Sequence, residues 1–315
     1  MPDAPLRDTE LLSGLDRPEW LRQFAAITRA NGHFQVLDTR HLAAYVDHGA
    51  TLLVTFETLE GIRALSERHE PLGWDFVRAD GWSHLAIISD GDTWFRSQGV
   101  YDYVDTLIDE AFFDDFERVV VYGAGPCGYA AAAFSVAAPG SVILAVQPQA
   151  TLDPEIAGWD DRFVEMRRTD FTDRFGFAPR MAEGAEEVFL IYDPFERLDA
   201  MHAALFQSDQ VARLKMRHMG DALQTDLMEM RLLTPLLRAA ADGALDASLF
   251  HELLRARREH LPYLRRLLAK LTQDRRDGLA RRLCANVTAR LNAPRFARRL
   301  EALEAAATAE KVGAD

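Results

Sequence analysis

The stretch RVVVYGAGPCGYAAAAF, residues 118–134, decides the fold of this chain. Its β-branched run at Arg118–Tyr122 predicts a buried strand, and the Ala-rich residues after the last glycine predict a helix that Pro139 and Gly140 end. The two elements are joined by Gly123–Gly128, which we call the glycine turn. A strand that leads through such a turn straight into a helix indicates an α/β protein.

Short apolar runs on both sides of this unit predict the remaining strands. They are separated by segments with helical spacing, and their apolar residues follow one another without alternating with polar ones. Strands of that kind are buried on both faces, so we expect a mostly parallel, doubly wound sheet with helices on either side. The runs are residues 51–56, 74–77, 84–89, 141–146, 187–192 and 211–216.

The end of the chain differs from the rest in charge and in pattern. Residues 246–315 carry 15 Lys and Arg against 9 Asp and Glu, whereas residues 1–245 carry 21 against 40. From about residue 222 the leucines recur at spacings of three and four, which predicts helices only. We therefore predict a sheet domain over residues 1–240 and a basic helical segment over residues 241–315. One alternative is that this segment forms a homo-oligomer.

Composition excludes several classes of protein. The 315 residues carry 36 Lys and Arg against 49 Asp and Glu, a formal net charge of −13, which argues against a nucleic-acid partner because phosphates attract basic surfaces. No apolar run reaches the about 18 residues that span a membrane, and the N-terminus lacks the apolar stretch of a signal peptide. Two cysteines, Cys127 and Cys284, cannot form a disulfide framework, and no pair suggests a metal site. We expect a cytoplasmic protein without membrane insertion.

The glycine turn matches the pattern G-x-G-x-x-G at Gly123, Gly125 and Gly128, between a strand and a helix as that pattern requires. Such a turn lets the backbone approach a pyrophosphate at the N-terminus of the helix. One interpretation is therefore an oxidoreductase that binds FAD or NAD. Against it, Gln147 follows the next strand where an acid should hold the ribose, and the turn lies in mid-chain.

The middle of the chain, about residues 50–240, resembles α/β-hydrolase-like proteins whose turn reads roughly Tyr-Gly-Ser-Ser-Met-Gly-Gly-Tyr-Ala. In that register Tyr122–Ala130 is the nucleophile elbow, and the strand at Leu52–Phe56 precedes the loop that gives the second oxyanion donor. The resemblance implies that Asp193 lies at the position of the catalytic acid. It also implies that residues 217–221 form the histidine loop, after the last strand.

The chain departs from the family pattern where the chemistry should be. The nucleophile position falls on Gly125, which has no side chain, and the histidine of a Gly-His pair falls on Asp221, three residues after His218. A serine hydrolase needs a hydroxyl, a base and an orienting acid. We interpret the chain as a binding or accessory protein for a small molecule or a protein partner, or as an atypical hydrolase. Whether it is an enzyme stays open.

The candidate catalytic residues are Cys127, Asp193 and His218. Cys127 is placed in the first turn of a helix, where the dipole favours a thiolate, so a cysteine-dependent acyl hydrolase or transferase is a further alternative. A small buried hydrophobe is the other interpretation of this cysteine. Asp193 follows a buried strand, where such folds place functional groups, but it serves equally well as the N-cap of a helix near residues 196–206. His218 is either the base or a solvated loop residue.

Overall fold

One mixed sheet forms the centre of the protein. The computed structural model describes residue 6 and residues 12–312, with side chains described through residue 308. The strands of this part of the chain are β1 (Gly32–Val36), β2 (His41–Val46), β3 (Thr51–Thr58), β4 (Ser83–Ser89), β5 (Arg118–Ala124), β6 (Val142–Val146), β7 (Glu187–Tyr192) and β8 (Val211–Lys215). Their order is β1-β2-β4-β3-β5-β6-β7-β8. Strand β2 is antiparallel to both of its neighbours, and the other pairs are parallel.

Helices cover the sheet and form the end of the chain. No helix of the described chain combines the length and the apolar character that a membrane span requires. The α-helices that the described chain has before its terminal segment are α1 (Arg17–Asn31), α2 (Leu59–Leu65), α3 (Gly73–Asp80), α4 (Gln98–Asp109), α5 (Pro126–Phe134), α6 (Pro154–Ala157), α7 (Ala178–Met181), α8 (Arg197–Leu205) and α9 (Leu223–Glu229). The helices of the terminal segment are α10 (Leu233–Ala241), α11 (Ala247–Leu253), α12 (Leu261–Gln273), α13 (Asp277–Arg290) and α14 (Pro294–Val312).

Alternate residues of β5 face two different cores. Val119 and Val121 pack into a core that includes the residues of α5, whereas Val120 and Tyr122 pack into a core with the C-terminal helices. All four side chains are buried, which is why this strand reads as a continuous apolar run. The predicted fold class, a mostly parallel, doubly wound sheet with a C-terminal helical appendage, is therefore confirmed.

The C-terminal helices share their core with the sheet. Val120 of β5 belongs to the same cluster of buried side chains as Leu268 of α12 and Phe296 of α14. Charge also joins the two parts, because Asp226 of α9 accepts a hydrogen bond from His260 Nε2 at 2.8 Å and pairs with Arg266. The division at residue 240 stays a prediction, and the buried core crosses it.

One strand prediction was wrong, and one strand was missed. Residues 74–77 lie within α3, where Trp74 and Val77 face one core and Phe76 faces another, so the apolar run reflects two buried faces of a helix. Strand β2 was not predicted, since its two alanines, Ala43 and Ala44, have little intrinsic preference for strands. Pairing with both neighbours holds this segment in the sheet.

Candidate functional site

The glycine turn lies at the carboxyl edge of the parallel strands. Ala124 at the end of β5 pairs with Val146 at the end of β6, and Thr58 at the end of β3 pairs with Ser89 at the end of β4. In open α/β sheets the loops at this edge carry the functional groups. The side chains near the turn are therefore the first candidates for a site.

Gly125 holds the strained point of the turn. Its backbone lies at φ 57° and ψ −125°, a region that residues other than glycine rarely adopt. The Gly125 N–H donates to Val146 O at 2.8 Å, and its carbonyl accepts from Tyr129 N at 3.0 Å. A Cβ built on Gly125 meets nothing within 4 Å. The turn thus presents residue 125 to open space and holds it there by two backbone hydrogen bonds.

The other glycines of the turn allow close packing. A Cβ on Gly123 would lie 2.0 Å from Cys127 O, and a Cβ on Gly128 would lie 3.1 Å from Val146 O. These glycines therefore let α5 approach the strands. The residue after Gly125 is Pro126, which has no backbone N–H. In α/β-hydrolases the N–H at that position is one of the two oxyanion donors.

The groups that would hold a dinucleotide are engaged elsewhere. The Gln147 amide nitrogen donates to Asp199 Oδ2 at 2.7 Å, and its oxygen accepts from Leu223 N at 3.0 Å. The N–H of Gly125 is bonded to β6, and Pro126 has none to offer. Binding of FAD or NAD stays a prediction, and neither Gly125 nor Pro126 has a free N–H to offer a pyrophosphate.

A cavity of about 410 Å³ lies beside the glycine turn. Ala124, Pro126 and Cys127 form part of its wall, and the opposite parts come from the end of β3, from α2, from residues 66–72 and from α9. Its volume falls within the roughly 300–1,000 Å³ of small-molecule sites. This cavity is the candidate functional site.

Glu57, near the end of β3, has the pKa that is shifted furthest from its ordinary value among the carboxylic acids that line this cavity. Its Oε1 accepts from Thr55 Oγ1 at 2.6 Å, and its carboxylate accepts from Leu72 N at 3.2 Å. The Thr55 hydroxyl in turn accepts from His84 Nε2 at 2.9 Å. Burial raises the pKa of Glu57 to about 7, although both hydrogen bonds oppose the shift. Burial alone lowers the pKa of His84 to about 3, so this imidazole is neutral.

We predict that Glu57→Gln stabilises the protein in a pH-dependent way. The carboxyl has a pKa of 4.5 in the unfolded chain and about 7 in the folded one, so the unfolded state releases its proton first as the pH rises. The wild-type free energy of unfolding therefore falls between about pH 4.5 and 7, and the variant lacks this loss. Urea unfolding should show Glu57→Gln above wild type at pH 8 and equal to it at pH 4. Equal differences at both pH values would contradict this assignment, and exposed Glu60→Gln is the control.

Sequence reasoning passed over Glu57. Its one signal is an acid at the end of the apolar run TLLVTFET, in the strand whose following loop carries an oxyanion donor. A second missed group surrounds His202, whose Nε2 donates to Asp160 Oδ2 at 2.9 Å and whose Nδ1 accepts from Ala150 N at 3.1 Å. Arg162 joins Asp160 to Asp199, so this network fastens the loop after β6 to α8.

Cys127 lies in the first turn of α5 and is 7% exposed. Burial raises the pKa of its thiol, and the nearby charges of Glu57 and Asp92 raise it further. This direction is opposite to the one expected from the helix dipole, so the thiol is protonated at neutral pH. The cysteine-dependent reaction stays a prediction, and it would require a base that removes this proton.

Asp193 and His218 occupy neighbouring loops but do not form an acid–base pair. Asp193 is buried, and its carboxylate accepts from Phe195 N at 3.0 Å and from Gly220 N at 2.8 Å. The half-buried His218 ring stacks on Phe195 with centroids 4.0 Å apart. Within the described chain no hydrogen bond joins the two side chains, and neither lines the cavity. Burial lowers the pKa of His218, which Asp193 opposes.

Two sequence expectations for these loops can be compared with the structure. The N-cap of α8 is Glu196, so the interpretation of Asp193 as that N-cap was wrong. Asp193 instead bridges its own loop and the loop that contains Gly220. Asp221 is exposed. Catalytic roles for Asp193 and His218 stay predictions.

Known proteins resemble this chain only distantly. No protein family model and no curated protein matches it. It is similar to a hyperthermophilic esterase from Pyrobaculum calidifontis (13% identity, 77% of this chain, 92% of that chain, TM-score 0.39) and to a thermostable carboxylesterase cloned from a metagenomic library (14%, 76%, 98%, 0.41). A third similar structure is a glycosylation-associated protein complex from Streptococcus agalactiae (14%, 65%, 45%, 0.42). Likeness at this level assigns no activity to the chain.

Proposed function

We propose that this chain is a small-molecule binding protein built on an α/β-hydrolase-like sheet, and that its glycine turn is a nucleophile elbow without a nucleophile. One observation carries the proposal. Gly125 stands at the strained position of the turn, facing open space, and Pro126 follows it. The turn therefore keeps the elbow's backbone while lacking both the attacking hydroxyl and the adjacent oxyanion donor.

Acyl transfer needs several groups at once, and the turn lacks more than one of them. A hydroxyl must attack, a base must take its proton, and N–H donors must stabilise the oxyanion. Loss of one oxyanion donor alone costs about 10²–10³ in rate. The candidate base His218 has no hydrogen bond to Asp193 and lies outside the cavity lining. Binding without hydrolysis is the function that these residues support best.

The cavity supplies the binding part of the proposal. It combines an apolar wall with a few buried polar groups, which is the usual composition of small-molecule sites. A hydrolase that uses Cys127 is the alternative that keeps the same cavity. An oxidoreductase that binds FAD or NAD is the second alternative. It would use the glycines of the turn, which let a pyrophosphate approach the backbone closely.

The proposal is tested with p-nitrophenyl acetate and p-nitrophenyl butyrate. We expect the purified protein to hydrolyse both esters no faster than buffer, because the turn has neither the attacking hydroxyl nor the backbone N–H that would serve as the adjacent oxyanion donor. The matched variant is Cys127→Ala, which should give the same rate as wild type. Ultraviolet–visible spectra and native mass spectrometry of the same protein report a retained flavin or nicotinamide.

Three results would change this conclusion. Saturable hydrolysis by the wild-type protein would overturn binding without turnover. Loss of that hydrolysis in Cys127→Ala would assign it to the thiol. Retained FAD or NAD would favour the oxidoreductase instead.

A further inference from the structure

We propose that the cavity beside the glycine turn takes a small organic cation, a primary amine on an apolar body, with its ammonium group against the Glu57 carboxylate. The inference rests on the proposed function, since it names the ligand class for the same cavity. Three properties of the walls support this ligand class: their apolar surface, their carboxylates that form no ion pair, and a buried carboxylate oxygen that lacks a hydrogen-bond donor.

The apolar body of the ligand is matched by the larger part of the wall. Phe56, Ile62, Leu65, Leu72 and Met228 all line the cavity. Together they form a surface that would bury a ring or a short alkyl chain at a gain of about 25 cal/mol per Å² of apolar area. The polar end of the ligand must then meet the groups at the end of β3 and in the loops.

Three of those groups are carboxylates that form no ion pair within the described chain. They are Glu57, Glu67 and Asp92, and all three line the cavity. Glu67 and Asp92 are exposed at the chain surface, whereas Glu57 is part-buried and faces inward. A cation that enters would meet an attractive potential and end at the carboxylate that burial has left without a counter-ion.

Arg68 is the one cation among the described residues that line the cavity, and it is already paired. Arg68 Nε donates to Glu70 Oε2 at 3.0 Å, and Arg78 donates to the same oxygen at 2.6 Å and to Asp75 at 2.7 Å. The two arginines and two carboxylates of this group balance one another. They leave the excess negative charge of the cavity to Glu57, Glu67 and Asp92.

Glu70 adds a second, independent feature. Its side chain is 2% exposed, it lines the cavity, and its Oε1 has no hydrogen-bond partner in the described chain. A buried acceptor without a donor destabilises the folded protein. A ligand with N–H groups would supply the missing donor, whereas an anion or an ester carbonyl would not.

The charge of Glu57 governs the binding of a cation. Titratable groups of the described chain that lie near it are His84 from β4, Tyr122 from β5 and Cys127 from α5. The other charged residues that line the cavity are Glu67, Arg68, Glu70, Asp75 and Asp92. Burial keeps the pKa of His84 far below neutrality and raises the pKa values of Tyr122 and Cys127. Burial and the charges of Glu60 and Glu165 raise the pKa of Asp92. Between pH 6 and 8, ionisation of Glu57, with a pKa of about 7, is therefore the main change at the inner end of the cavity.

The test is isothermal titration calorimetry of the full-length protein with three probes of similar size: phenethylamine, phenethyl alcohol and phenylacetate. At pH 8 we expect phenethylamine to bind at least about tenfold more tightly than either of the other two probes. At pH 6, where Glu57 is mostly protonated, phenethylamine should bind about tenfold more weakly than it does at pH 8. Glu57→Gln should lower phenethylamine affinity at pH 8 about tenfold and leave that of the alcohol unchanged. Glu60→Gln, an exposed acid outside the cavity lining, is the matched control and should bind the amine as wild type does.

Each other outcome has a definite meaning. Equal affinity for the alcohol and the amine, or an unchanged amine affinity in Glu57→Gln, would overturn the cation site while leaving a small-molecule cavity. Tighter binding of phenylacetate would overturn it in the opposite sense. Binding of none of the three would also contradict the cation site, whereas hydrolysis of the p-nitrophenyl esters, measured separately, is what would overturn the proposed function.

Discussion

Phe296→Ala is expected to lower the free energy of unfolding of the whole protein by about 3–5 kcal/mol. Phe296 is 1% exposed in α14, and it belongs to the core that also contains Val120 of the central strand β5. Removing its ring leaves a cavity in this core, which is continuous from α14 to the sheet. The terminal segment should therefore unfold together with the sheet.

Intrinsic fluorescence separates the two parts of the chain in this experiment. All five tryptophans precede residue 160, so their emission reports on the sheet, whereas far-ultraviolet circular dichroism reports on every helix. We expect urea transitions from both probes to shift together in Phe296→Ala. Leu279→Ala is the control from the same segment, because Leu279 is 42% exposed and its loss should change stability by less than about 0.5 kcal/mol.

A fluorescence midpoint that stays at the wild-type value while the helical signal shifts would contradict a shared core. A chain that ends after residue 245 extends the same argument. It would lose Phe250, Leu268 and Phe296 from the core and expose their partners on the sheet, so we expect it to aggregate. A soluble monomer would show that the basic helices serve another purpose than covering this face.

Asp193→Ala is expected to destabilise the protein by about 3 kcal/mol. The buried carboxylate accepts two backbone hydrogen bonds, from Phe195 and from Gly220, and bonds to a charged acceptor contribute about 1.5–3 kcal/mol each. His218 and Gly220 both have positive φ angles, so the loop that Asp193 holds is one that relaxes when the bonds are lost. Asp221→Ala, at an exposed acid of the same loop, should leave stability within about 0.5 kcal/mol of wild type.

The Asp193 experiment also separates two roles for this residue. A bridge between two loops predicts lower stability in thermal and urea unfolding, and Asp193→Asn should recover part of it because the amide oxygen still accepts a bond. An acid that acts only in catalysis predicts wild-type stability. Wild-type unfolding of Asp193→Ala would therefore contradict the bridging role.

The fold was largely accessible from the sequence, and the site was only partly so. The strand–turn–helix of residues 118–134 is local, since the β-branched run, the glycines and the alanines each set their own backbone preference. The positions of Asp193 and His218 after the last strands also follow from the order of the elements. Their hydrogen-bond partners do not, because these depend on two loops that are far apart in the chain.

Glu57 illustrates what the sequence left undetermined. In the run TLLVTFET it is one acid at the end of a strand, and nothing local sets its ionisation. Its pKa of about 7 arises because α2, residues 66–72 and α5 bury it, whereas Arg68 of the same loop pairs with Glu70 instead. The pKa of a buried carboxyl depends on all the groups that surround it, and these groups come from distant parts of the chain.

The sequence by itself determined the α/β architecture, the glycine at the strained point of the turn and the change from an acidic body to a basic helical end. These properties depend on residue type and short-range spacing. Only the tertiary structure decided that the basic helices share one continuous core with β5, that Asp193 bridges two loops and that a cavity with a carboxylate outside any ion pair lies beside Gly125. Those features depend on burial and on contacts between residues far apart in sequence, which no local pattern encodes.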